Sequence, residues 1–117
     1  MPTTKQPLDR LRALCLALPE ATEEALRRGP TFRVADKIFA LYRTGDGRKS
    51  LWCKVPEGGQ ALLIGADPAR FFVPPYYGSK GWVGVRLDAK PDWSEVEAMV
   101  RRSYRLVAPK RLAAMVE

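Results

Sequence analysis

Two runs of strand-forming residues, Ile38-Phe39-Ala40-Leu41-Tyr42-Arg43 and Lys49-Ser50-Leu51-Trp52-Cys53-Lys54-Val55, flank Thr44-Gly45-Asp46-Gly47. An Asp-Gly between two such runs is a strong hairpin signal, because the glycine supplies the positive φ that a tight turn needs. A hairpin joins its strands antiparallel. It breaks the strand-helix alternation that a doubly wound parallel sheet requires. Thr31-Phe32-Arg33-Val34 alternates as well and adds a strand upstream. Side chains alternate across a strand. One face of this sheet therefore carries Phe32, Val34, Phe39, Leu41, Leu51, Cys53 and Val55, and the other Arg33, Ile38, Tyr42, Trp52 and Lys54. The first set is apolar throughout and is expected to face the core.

The flanking segments supply helices. From Leu8, the residues Leu11, Leu14, Cys15 and Leu18 recur at helical spacing, and Pro19 ends the run. Ala21 to Arg27 is ambiguous by pattern, and Gly29-Pro30 reads as a turn. A short helix begins at Pro56-Glu57, runs through Ala61, Leu62 and Ile64, and stops at Gly65. Phe71-Phe72-Val73 is a short strand ended by Pro74-Pro75, and Trp82 to Leu87 is a further strand. Asp92 starts a helix, with Glu95 completing an Asp-x-x-Glu variant of the capping box. Trp93, Val96, Val100, Tyr104 and Val107 line one face of it, and Pro109 opens a last helical segment with Leu112, Met115 and Val116. The order is one helix, three or four strands, a helix, one or two strands, then two helices. It argues for a two-layer α+β fold, an antiparallel sheet with helices packed on one face. With 117 residues the chain reads as a single domain, 1–117, with residues 1–7 a short loose lead-in.

Composition narrows the chemistry. There is no histidine, which removes Ser-His-Asp and Cys-His catalysis and His-ligated metals. The two cysteines, Cys15 and Cys53, make neither a four-thiolate site nor a disulfide framework, and read as small buried hydrophobes. No Asp/Glu pair has a diagnostic spacing. The expectation is a protein that is not an enzyme and has no metal or cofactor. No segment approaches the roughly 20 apolar residues of a membrane span, and the first residues lack the apolar run of a signal peptide. The expected location is the cytoplasm.

The net charge of +7 is clustered. Arg27 to Lys54 holds eight basic residues against Asp36 and Asp46, and Arg101 to Arg111 holds five against none. A polyanion is the natural partner of such clusters, and a solvated charged face is the alternative. Arg43, Arg48 and Lys49 flank the hairpin turn, where a projecting basic hairpin can lie along a duplex backbone. Arg101 and Arg105, with Lys110 and Arg111 beyond Pro109, form a second basic stretch; the helix dipole alone also favours arginines at a helix end. Lys80 lies in Gly78-Ser79-Lys80-Gly81, which matches a Gly-x-x-Gly loop of some RNA-binding domains and reads more simply as a tight turn into a strand. Tyr42 and Trp52 among cations suit base stacking or packing under a helix. Tyr76 and Tyr77, after two prolines, read as loop-to-core anchors. A deep pocket lined by Tyr76, Tyr77, Trp82 and Arg86 would instead favour a small-molecule binder.

The sequence resembles the MmcQ/YjbR family of small bacterial proteins. The likeness rests on Pro30 to Val34, Lys37 to Ala40, Ser50 to Lys54, Asp67 to Tyr76, Gly81 to Asp88, and Asp92-Trp93 through Ser103 to Lys110. It implies a compact α+β fold like that of secretion chaperones, and DNA binding through a double-wing motif. Two departures stand out. Leu26-Arg27-Arg28-Gly29 replaces a stretch that often holds tryptophan and histidine, and Ala35-Asp36 lies where glycines are common. The leading expectation is a non-enzymatic domain that contacts the phosphates of duplex DNA through the hairpin and the C-terminal stretch. A protein-binding module, as the chaperone-like fold would allow, comes next.

Overall fold

The computed structural model describes residues 6–44, 47–88 and 90–116. Helix α1 (Pro7–Leu16) is followed by strands β1 (Thr22–Leu26), β2 (Gly29–Val34), β3 (Lys37–Arg43) and β4 (Ser50–Lys54). Then come α2 (Gly59–Ala66), β5 (Phe71–Phe72), a 3-10 turn (Tyr77–Lys80), β6 (Trp82–Arg86), α3 (Trp93–Val107) and α4 (Lys110–Ala113). The fold is α+β, in the order read from the sequence. Its six strands run β1-β2-β3-β4-β6-β5, each antiparallel to its neighbour. The ambiguous segment after Pro19 is the edge strand β1, whose Glu23 and Glu24 are the charges that discourage edge-to-edge pairing. The first turn lies at Arg27-Arg28, and Gly29-Pro30 belongs to β2. Pro7 is the first residue of α1, a position that suits its fixed φ and missing N–H, rather than part of a loose lead-in. Residues 1–5 and the hairpin-turn residues Gly45 and Asp46 lie outside the described residues.

The core lies between the sheet and the helices. Leu11 and Cys15 of α1, Val96, Met99, Val100 and Tyr104 of α3, and Leu112 after Pro109 pack on Phe32, Val34, Phe39, Leu51, Cys53, Val83 and Val85. Each fully buried side chain of this kind contributes about 1.5–3 kcal/mol. Tyr104 meets Phe39 edge to face at 5.4 Å and donates its hydroxyl to Pro19 O at 2.6 Å. Asp92 caps α3 by accepting from the Ser94 and Glu95 N–H groups. Glu95 is drawn away from the capping box by Arg70, which it binds through both oxygens at 2.6 and 3.2 Å.

The strict alternation expected of the hairpin fails at one residue. Phe32 pairs with Ala40 but Arg33 pairs with Ile38, so Phe39 is an extra residue in β3. Such a bulge reverses the parity of everything after it. Phe39 and Ala40 both face the core, and Tyr42 follows Ala40 into it. Leu41 turns to the other face, opposite Trp52. Tyr42, expected beside Trp52, is thus a core residue 8% exposed.

Candidate functional site

The sheet face away from the helices carries Leu41, Arg43, Ser50, Trp52, Phe72, Gly84 and Arg86, as the cross-strand register requires. Two glycines make its surface what it is. Gly84 has no Cβ, and the Phe72 ring occupies the space one would fill. Gly29, at φ +136, lies against the Tyr42 carbonyl and the Arg43 guanidinium, where a side chain would collide. Arg43 is held there by donating to Pro30 O at 3.2 Å and Tyr42 O at 2.9 Å.

The chain after β5 folds back over this face. Pro74-Pro75 cannot extend the strand. Tyr76 then adopts φ 65, ψ −58, and the Tyr77 N–H donates to Pro75 O at 2.6 Å. This is a γ-turn of the strained hand, rare for any residue and an outlier for a bulky aromatic. Such conformations cost about 1–3 kcal/mol and persist where surrounding structure imposes them. Here Gln60 of α2 grips the segment, donating to Gly78 O and Trp82 O at 2.9 and 2.6 Å.

Between sheet and strap lies a cleft of about 880 Å³. Trp52, Phe72, Tyr76 and Tyr77 supply its aromatic surface, with Val73 and Pro75 beside them. Arg28, Arg43, Thr44 and Ser50 supply its polar groups, and among the described residues no carboxylate lines it. The Trp52 indole N–H donates to Ser50 Oγ at 3.0 Å, which fixes the ring. Cations stand on these rings: Arg86 4.1 Å from the Phe72 centroid, Lys80 4.6 Å from that of Tyr76, and Arg43 5.9 Å from that of Trp52. Burial lowers the pKa of Arg43; Tyr77 opposes that shift and the Arg28 charge adds to it. The volume is that of a ligand site, and the lining combines stacking surfaces with the positive charges of Arg28 and Arg43.

The family model for YjbR matches residues 16–106. The chain belongs to the YjbR family. This YjbR domain is also similar to the crystal structure of Deinococcus radiodurans protein DR2400, a DUF419 domain, with 25% identity and a TM-score of 0.75. The match covers 88% of this chain and 81% of that one. No curated protein matches it.

The residues singled out in the sequence do not converge on one surface of the YjbR fold. Arg43, Trp52, Tyr76, Tyr77, Lys80 and Arg86 gather at the cleft, and Trp82, on the same sheet face as Gly84, lies against the Tyr77 ring at 5.0 Å. Tyr76 is no core anchor, being 70% exposed. Arg43 is not a projecting hairpin cation, since two backbone carbonyls hold it. Arg48 forms a two-pronged ion pair with Asp88 at 2.9 and 3.0 Å, while Lys49 accepts the Leu87 N–H through its carbonyl. Arg101 and Arg105 lie on α3, in the helix layer across the sheet from the cleft, and Arg101 lies 3.9 Å from Glu97. Arg111 lies 3.3 Å from Glu20, and Lys110 is exposed at the start of α4. Gly78 to Gly81 is the tight turn into β6. Arg28 and Phe72 were not singled out. Arg28 sits in the Arg27-Arg28 turn, just before the Gly29-Pro30 turn that the pattern predicts, and Phe72 reads as core until Gly84 is known to lie beneath it.

Both thiols are fully buried, and burial raises their pKa, that of Cys53 to about 12. Among the described residues no helix is long and apolar enough to cross a membrane, and no group of three or more metal-ligating side chains occurs.

Proposed function

We propose that this YjbR domain is a non-enzymatic nucleic-acid-binding protein whose binding surface is the open sheet face. The carrying observation is the cleft lined by four aromatic rings and two arginines and, among the described residues, by no carboxylate. Aromatic rings interleaved with cations suit nucleic acid, because bases stack on the rings while phosphates meet the charges. A net charge of +7 adds attraction at longer range. Buried thiols with raised pKa and a chain without histidine offer no activated nucleophile, which favours binding over catalysis.

The test is the anisotropy of a labelled DNA duplex with a single-stranded overhang, titrated at several salt concentrations. Affinity is expected to fall linearly on a logarithmic salt scale. Arg28→Ala and Lys80→Ala should each flatten that slope by about one phosphate contact. Affinity that ignores salt would reject the reading. The exposed Val73 and Tyr76 at the rim, 56% and 70% accessible, favour a second reading, an apolar peptide in the same cleft; salt-independent capture would select it.

A further inference from the structure

The strap that closes the cleft is built in a way that packing does not explain. Tyr76 occupies the strained γ-turn yet buries little of its side chain, so the turn does not serve the core. What the turn achieves is placement. It sets the Tyr76 ring edge to face with Tyr77 at 5.1 Å and under the Lys80 ammonium, in a cleft that Trp52 also lines. Backbone strain of this kind clusters at active sites, ligand clamps and switch regions.

The dimensions restrict what enters. The cleft is a pocket of about 880 Å³, and the rings of Trp52, Phe72, Tyr76 and Tyr77 line it. A duplex presents its phosphates outward and its bases stacked, so it reaches the arginines but not the rings. An unpaired nucleotide reaches both, with its base against the rings and its phosphate beside Arg28 and Arg43. Resting on the nucleic-acid reading above, we infer that the cleft selects single-stranded over duplex nucleic acid, with Tyr76 as the stacking platform that captures an unpaired base.

The experiment compares three fluorescein-labelled probes of about 12 nucleotides, a length within the site size of such grooves. They are an oligothymidylate, the same strand annealed to its complement, and an abasic strand with the same phosphates. Oligothymidylate is expected to bind roughly 10-fold or more tightly than either of the others. Tyr76→Gly should lower that affinity roughly 10- to 100-fold, the usual effect of losing one stacking ring. Its melting temperature should not fall, because glycine tolerates the positive φ and little burial is lost. Duplex or abasic strand binding as tightly as oligothymidylate would overturn single-strand selection while leaving nucleic-acid binding in place. So would a folded Tyr76→Gly protein with unchanged affinity. Failure of every probe to bind at about 50 mM salt, where phosphate contacts are strong, would overturn both. The abasic comparison uses the unaltered protein and so does not depend on how the variant folds.

Discussion

Ser103 should be among the most sensitive polar residues in the chain. Its hydroxyl is fully buried, accepts the Lys54 N–H at 2.9 Å and donates to Phe39 O at 2.7 Å. The reason lies in the bulge. At Phe39 the β3 backbone leaves the register it keeps with its neighbours, and an α3 side chain inserts to complete the link between the β3 carbonyl and the β4 amide. Ser103→Ala removes little apolar contact but strands both groups. An unsatisfied buried donor or acceptor costs about 1–3 kcal/mol. With the carbonyl toward the low end, the variant should lose about 2–4 kcal/mol. At about 5 °C per kcal/mol for a domain of this size, the melting temperature should fall by roughly 10–20 °C. Urea unfolding followed by circular dichroism measures the change directly. A loss below about 0.5 kcal/mol, the range of ordinary surface substitutions, would refute the bridging role.

Three further outcomes follow from the geometry. Ala35 and Asp36 form the two-residue β2–β3 turn with φ of 50 and 65, so Ala35→Gly should raise stability by about 0.5–1 kcal/mol; a lower urea midpoint would contradict this. Cys15 and Cys53 should resist a thiol reagent at pH 8 until the protein unfolds, because burial holds both thiols protonated; rapid native-state labelling of Cys53 would mean that its strand face is misassigned. Arg101→Glu combined with Lys110→Glu should leave DNA affinity nearly unchanged at a salt concentration that screens long-range charge, because these cations stand in the helix layer across the sheet from the cleft, and should lower the melting temperature slightly through loss of the Arg101–Glu97 pair. Abolished binding would move the site to the helix layer.

The sequence carried the element order because its signals are local: proline stops, the Asp92 cap and period-two runs each act within a few residues. It did not carry the bulge. Ile38 to Arg43 is apolar at nearly every position, so nothing in the pattern marks Phe39 as extra, and the faces of Leu41 and Tyr42 came out exchanged. β1 was hidden because Thr22-Glu23-Glu24-Ala25-Leu26 at the sheet edge needs no apolar stripe. The charge runs misled for a related reason. A window along the chain ignores side-chain direction, and the cations of β3 and α3 diverge to opposite sides of the sheet. The aromatic members of the cleft were legible singly, but their convergence depends on Phe72 lying over Gly84 and on the turn at Tyr76, both set by tertiary contact.

The most direct test of the cleft as the binding surface is a heteronuclear NMR titration of the labelled protein with oligothymidylate. The three tryptophans, Trp52, Trp82 and Trp93, give three indole N–H signals; Trp52 and Trp82 report on the open face and Trp93 on α3. The Trp52 indole, bonded to Ser50 at the cleft wall, should shift most, together with the amides of Arg28, Tyr76 and Tyr77, while Trp93 and the α3–α4 amides stay in place. Shifts confined to Trp93 and the residues of α3 and α4, with Trp52 unmoved, would contradict it.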